Sequence, residues 1–168
     1  MQKSELKKIA ESLINTFQSA GRESIKLYSE GLKIDIKEDN SPVSNADLKV
    51  NEIIVNKILS LTPNLPIISE ETVNLKEKNK SKVFWLIDPI DGTKEYIAGK
   101  EEYTLNAALI INTVPVLGLV GVPKKNQLFY SYGKNESFLI DRGKTTKVNC
   151  SKKNLSNQIV AFSKNIAL

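Results

Sequence analysis

A chain of 168 residues with 40 % hydrophobic and 26 % charged residues is long enough for one packed domain and too apolar to be disordered. The absence of histidine excludes a Ser-His-Asp triad, an imidazole base and histidine-ligated zinc. The single cysteine, Cys150, excludes an internal disulfide and suits a reducing, cytoplasmic setting. The net charge of +5 is a solvated lysine-rich surface in its plain reading and an attraction to a polyanion or a phosphorylated small molecule in its sharper one. No RNA-binding signature or zinc-finger spacing points to a nucleic-acid reader, no apolar run reaches the length of a membrane span, and the amphipathic N-terminus is not a secretory signal.

Leu6, Ile9, Leu13, Phe17 and Ala20 recur at helical spacing and predict a first helix that continues through Gly21 to a stop at Gly31. "KIDIKE" alternates as a short strand, and "DNSPVSNAD" is expected to be a loop. A second helix starts near Ser44 or Asn45, uses Leu48, Ile53, Ile54 and Ile58 as its apolar face, and ends before Pro63. Short apolar runs of strand type follow: "LPIIS", "KVFWLID", "YTLNAALIIN", "VPVLGLVGV", "NQLFYSY" and "ESFLIDRG". Gly133-Lys134-Asn135 and Arg142-Gly143-Lys144 are read as hairpin connections. The expected fold class is α+β, with two N-terminal helices packed on a mostly antiparallel sheet.

"WLIDPIDGTKEYI" places Asp88 and Asp91 around Pro89 at the end of a buried strand. Pro89 is expected to end the strand, and Gly92 permits a sharp or positive-φ turn. Two carboxylates and the Ile90 carbonyl can converge there, a set of oxygens that suits magnesium. A helix beginning near Thr93 would aim backbone N–H groups at an anion beside it. The bland alternative is a polar turn capping a strand. An EF-hand is excluded because Gly92 is fifth, not sixth, from Asp88, and the aspartyl-nucleophile pattern D-x-D differs from the D-x-x-D found here. Glu70 and Glu71 follow the strand "PIIS", where neighbouring strands could bring Glu70 beside Asp88; alone they read as solvent-facing acids. Asp47, alone, is a first-turn acid favoured by the helix dipole.

In this order, "SPVSNAD", "PIISEET" and "WLIDPIDGTKEYI" resemble the inositol monophosphatase superfamily of magnesium-dependent, lithium-sensitive phosphatases. "DGTKEYI" and "SEE" are similar to its branch of 3'(2'),5'-bisphosphate nucleotidases, which act on adenosine 3',5'-bisphosphate. The resemblance implies that Glu70, Asp88 and the Ile90 carbonyl hold a first magnesium, and Asp88 and Asp91 a second. It implies that Thr93 positions the attacking water with Asp47 as its partner, and that Glu70 also holds a further water or metal. Gly92 and Thr93 would give backbone donors to phosphate, Ser163 would begin a substrate-contact stretch, and Glu71 is the weaker acid of its pair. It also implies that residues 1–168 form one N-terminal metal-binding domain, the first half of a layered αβαβα phosphatase fold. The second half, with its W-D-x-A-A-G motif, has no counterpart in the chain. The alternatives are an inositol or sugar phosphatase of the same superfamily, or a non-catalytic metal- or phosphate-binding fragment. The sequence sets no oligomeric state.

Overall fold

The computed structural model describes residues 1–72 and 81–149. Cys150, Ser163 and most of the "NLKEKNKSK" loop lie outside them. Helix α1 spans Lys3–Glu30 and buries Leu6, Ala10, Leu13, Phe17, Ala20 and Ser24, a three-four spacing that keeps one stripe against the sheet. Helix α2, Asn45–Leu61, is capped by Ser44, whose hydroxyl accepts from the Ala46 and Asp47 N–H groups at 3.2 and 3.4 Å. Its inward face is Ala46, Val50, Ile54 and Ile58, with Ile53 at the margin. Leu48, expected on that face, is 53 % exposed, because the stripe is phased by Ala46 and Val50 instead.

Between the helices, β1 (Ile34–Ile36) pairs antiparallel with β2 (Pro42–Ser44). The expected loop over "DNSPVSNAD" is corrected here: its middle, Pro42–Ser44, is a strand, and Asn45 to Asp47 already belong to α2. Pro42 is tolerated because it sits at the first position of a two-stranded ladder. Among the described residues the main sheet has seven strands in sequential order: β3 (Ile67–Ser69), β4 (Val83–Asp91), β5 (Thr104–Ile111), β6 (Val114–Val122), β7 (Gln127–Tyr132), β8 (Ser137–Asp141) and β9 (Lys144–Lys147). Only β3–β4 is parallel, so the sheet is mostly antiparallel as expected. β9 was not foreseen; its four residues are all exposed and carry no apolar signal.

Alternate residues of the sheet, Trp85 and Ile87 on β4 and Leu105, Ala107 and Leu109 on β5, are buried in the same core cluster as the inward residues of α1 and α2. The buried Trp85 Nε1 donates to Thr62 Oγ1 at 3.0 Å, tying the end of α2 to the strand. The other face leaves Leu86, Val120 and Phe129 at 48, 40 and 39 % exposure. No helix among the described residues is long and apolar enough to cross a membrane.

The strand does not stop at Pro89. β4 runs on to Asp91, but its register with β5 shifts: Asp88 faces Asn106 and Asp91 faces Thr104. Three steps on β4 match two on β5, so β4 carries one extra residue, a bulge. Proline fits there because the bulge asks no ladder hydrogen bond of it.

Candidate active site

Because β3 and β4 are parallel, their C-terminal ends lie together. Ser69 pairs with Ile87, and the Glu70 N–H donates to the Ile87 carbonyl at 3.1 Å, which sets Glu70 next to Asp88. The bulge brings Asp91 to the same end and side of β4. Gly92 then turns the chain at φ 94°, and α3, Thr93–Ile97, begins at once. A Cβ on Gly92 would stand 3.0 Å from the Glu102 carbonyl, so both conformation and space demand glycine. These elements enclose a cleft of about 250 Å³ lined by Glu70, Asp88, Ile90, Asp91, Gly92 and Thr93, with Ser41 and Pro42 at its rim. A larger hollow of about 330 Å³ lies between α1 and the β6–β7 connection, but Arg22 is its only ionisable lining residue. The smaller cleft is the one lined by carboxylates.

Burial, and then the negative charges of Glu70 and Asp91, push the Asp88 carboxyl up to about 7. Its Oδ1 is buried without a hydrogen-bond partner, and so is Oδ1 of Asn106, the residue directly opposite on β5. The Asn106 amide donates instead to Asp91 Oδ2 at 3.1 Å. Two buried acceptors with no donor, one of them on a carboxyl that resists ionisation, mark a local deficit of positive charge. A hard divalent cation with oxygen ligands fits that deficit. Among the described residues no three acidic side chains already stand close enough to enclose an ion. Magnesium, which binds through one or two carboxylates and retains waters, does not require such a cage.

Lys37 Nζ lies 2.9 Å from Glu70 Oε1 and 2.8 Å from Glu71 Oε1. Burial opposes the charge on Lys37, but hydrogen bonds to Glu71 and Glu70 hold its ammonium above the ordinary lysine range. Burial pushes the Glu71 carboxyl up, and Lys37 counters it. Glu71 thus faces a lysine, not the cleft floor.

Asp47 is buried, 1 % exposed, at the start of α2. Its Oδ2 accepts from Ser44 N and Oγ at 2.8 and 2.5 Å, completing a capping box. That leaves Oδ1, which lies 3.0 Å from Thr93 Oγ1. The same Thr93 hydroxyl is 2.9 Å from the Ile90 carbonyl, and with one proton it donates to one acceptor at a time. Asp47 and Thr93 are 46 residues apart in the chain.

The structure therefore gathers Asp47, Glu70, Asp88, Ile90, Asp91, Gly92 and Thr93 at one end of the sheet. Ser163 lies outside the described residues. Sequence reasoning missed Lys37, Ser44 as a partner of Asp47, and Asn106. Ser44 was visible as a cap with aspartate three residues on; Asn106 was visible only as a polar residue in the run "YTLNAALII".

The sequence profile described as "Inositol monophosphatase family" matches residues 3–167. A curated relative from Aggregatibacter actinomycetemcomitans, named 3'(2'),5'-bisphosphate nucleotidase CysQ, is 34 % identical over 125 residues, covering 73 % of this chain and 46 % of the relative. The crystal structure of CysQ from Bacteroides thetaiotaomicron, titled a bacterial member of the inositol monophosphatase family, superposes with TM-score 0.60 and 28 % identity. It covers 87 % of this chain and 52 % of that one. The extragenic suppressor protein suhB from Bartonella henselae gives TM-score 0.68 at 25 % identity, covering 79 % of this chain and 52 % of the other. The chain spans about half the length of the curated relatives it matches. With its helices and its mostly antiparallel sheet in agreement with that match, the chain belongs to the inositol monophosphatase family.

Proposed function

We propose that residues 1–168 are the acid-bearing domain of a magnesium-dependent phosphatase that removes the 3'-phosphate of adenosine 3',5'-bisphosphate. The observation that carries this reading is the Thr93–Asp47 pair set at the edge of the cleft that holds Glu70, Asp88 and Asp91. Glu70, Asp88, Asp91 and the Ile90 carbonyl would hold the magnesium ions. When bound, they supply neutralisation of phosphate charge and lower the pKa of the water they hold.

The chain's own groups do the rest. Asp47, with Oδ2 committed to Ser44, keeps Oδ1 for the Thr93 proton. The Thr93 oxygen is then free to accept a hydrogen bond from the attacking water and aim it at phosphorus. The water proton passes toward Asp47 through Thr93, the new P–O bond forms, the bond to the 3'-oxygen breaks in line, and that oxygen takes a proton from solvent water to leave as the 3'-hydroxyl. The backbone N–H groups of Gly92 and Thr93, where α3 begins, would donate to the phosphate oxygens. Lithium sensitivity and the contact from Ser163 rest on resemblance alone. The nucleotide branch is supported by relatives named CysQ and by "TKEYI" after Gly92.

The test is phosphate release by the purified chain with magnesium. Adenosine 3',5'-bisphosphate is expected to be cleaved faster than inositol 1-phosphate, and T93V and D47N to abolish release. Preference for inositol 1-phosphate would move the chain to the sugar-phosphatase branch. The acid-lined cleft by itself also suits a second reading, a module that binds metal or phosphate without turnover. Magnesium-dependent thermal stabilisation with no phosphate released from either compound would support it.

A further inference from the structure

We infer that Lys37 is a built-in cation of the cleft: its ammonium fills the cation position between Glu70 and Glu71, and so limits how many divalent ions the site takes up. The inference rests on the cation-binding reading above and concerns a residue to which that reading gives no role.

The lysine is delivered by a fixed piece of backbone. Its N–H donates to the Ser41 carbonyl at 2.9 Å, and its carbonyl accepts from Asn40 N at 2.9 Å. Asp39 Oδ1 clamps the same turn by accepting from Ser41 N and Oγ at 2.9 and 2.6 Å. From this turn Lys37 spans 33 residues of sequence to Glu70 and 34 to Glu71, and bonds both within 3 Å. Glu70 is 47 % exposed, but Lys37 is only 23 % exposed and Glu71 5 %, against 45 and 55 % for the ordinary helix-surface pair Lys49–Glu52, so the Lys37–Glu71 half of the group is shielded from water.

A compact point charge with three donors meets two carboxylates much as a hard cation would. By engaging Oε1 of Glu70 it leaves one oxygen of that residue, Oε2, outside the ion pair. It also withdraws Glu71 from competition altogether. Take Lys37 away, and Glu70 and Glu71 become two adjacent carboxylates of one sign, the second of them shielded from water, without the counter-charge that now bridges them. That arrangement accepts one more ion.

Calorimetric titration with Mn²⁺ tests this on wild type, K37M, K37R and the double variant K37M/E71Q, with circular dichroism checking that each is folded. K37M is expected to bind one Mn²⁺ more per chain than wild type, with the first ion bound about tenfold more tightly, the scale of one unit charge acting on a divalent ion near a protein surface. K37R is expected to keep the wild-type count, and K37M/E71Q to return to it. K37Q replaces K37M if the methionine variant does not fold. An unchanged or reduced count in K37M overturns the inference. A wild-type chain that takes up no Mn²⁺ overturns the proposed function, and the gain or absence of an ion in K37M then still decides for Lys37.

Discussion

Replacing Asp88 by asparagine is expected to stabilise the cation-free chain at about pH 8 and to leave it unchanged at about pH 4. In the folded chain the Asp88 carboxyl titrates at about 7, against 3.8 for the free group. Below the lower value both folded and unfolded chains hold the proton. Between the two values the folded chain keeps a proton that the unfolded chain has released, so stability falls as pH rises, and the whole contribution is gone above about pH 7. A shift of about three units corresponds to roughly 4 kcal/mol for a fully desolvated group. Asp88 is half-buried, and solvent screening reduces this to about 1–2 kcal/mol. Asparagine is neutral at every pH and avoids the loss. Thermal unfolding in the presence of a chelator reads it out, and for a chain of this length D88N should melt roughly 3–6 °C higher at the upper pH. The reasoning fails if D88N melts at or below wild type there, or if the gap persists undiminished in acid.

G92A forces a side chain into φ 94° and against the Glu102 carbonyl, and is expected to lose about 1–2 kcal/mol in urea unfolding together with the Thr93–Asp47 alignment. N106A frees Asp91 Oδ2 from its amide donor, and Mn²⁺ titration is expected to show affinity weakened about tenfold, as when other groups that orient a metal ligand are removed. T62V strands the buried Trp85 N–H, for an expected loss of about 1–3 kcal/mol in denaturant unfolding with cation binding intact.

The α+β layering was legible because α1 keeps a clean helical spacing and β4 to β8 are apolar runs between turn residues. Leu48 misled because hydrophobic identity does not set the phase of a helix: Ala46 and Val50, smaller but facing inward, do. β9 was invisible since its lysines and threonines bury nothing. In the site, Asp88, Gly92 and Thr93 could be read as a local turn. Placing Glu70 required the parallel pairing of β3 with β4, which the sequence allowed and did not demand. Lys37 and Asn106 were out of reach for a simpler reason. Their partners are set by a tight turn and by cross-strand register, and neither leaves a pattern in one sequence.

The bulge in β4 has a consequence for mutational scanning. In a regular strand two residues three apart face opposite ways, and two residues two apart share a side. With its extra residue, D-x-x-D places its acids as a flat strand would place D-x-D, and what it gains is a main-chain oxygen at Ile90, left out of the pairing register with β5. No side-chain replacement deletes that atom, so an alanine scan across the strand passes over one group of the cleft. A one-residue deletion between the aspartates, which flattens the strand while sparing both acids, is the change that exposes what the oxygen does.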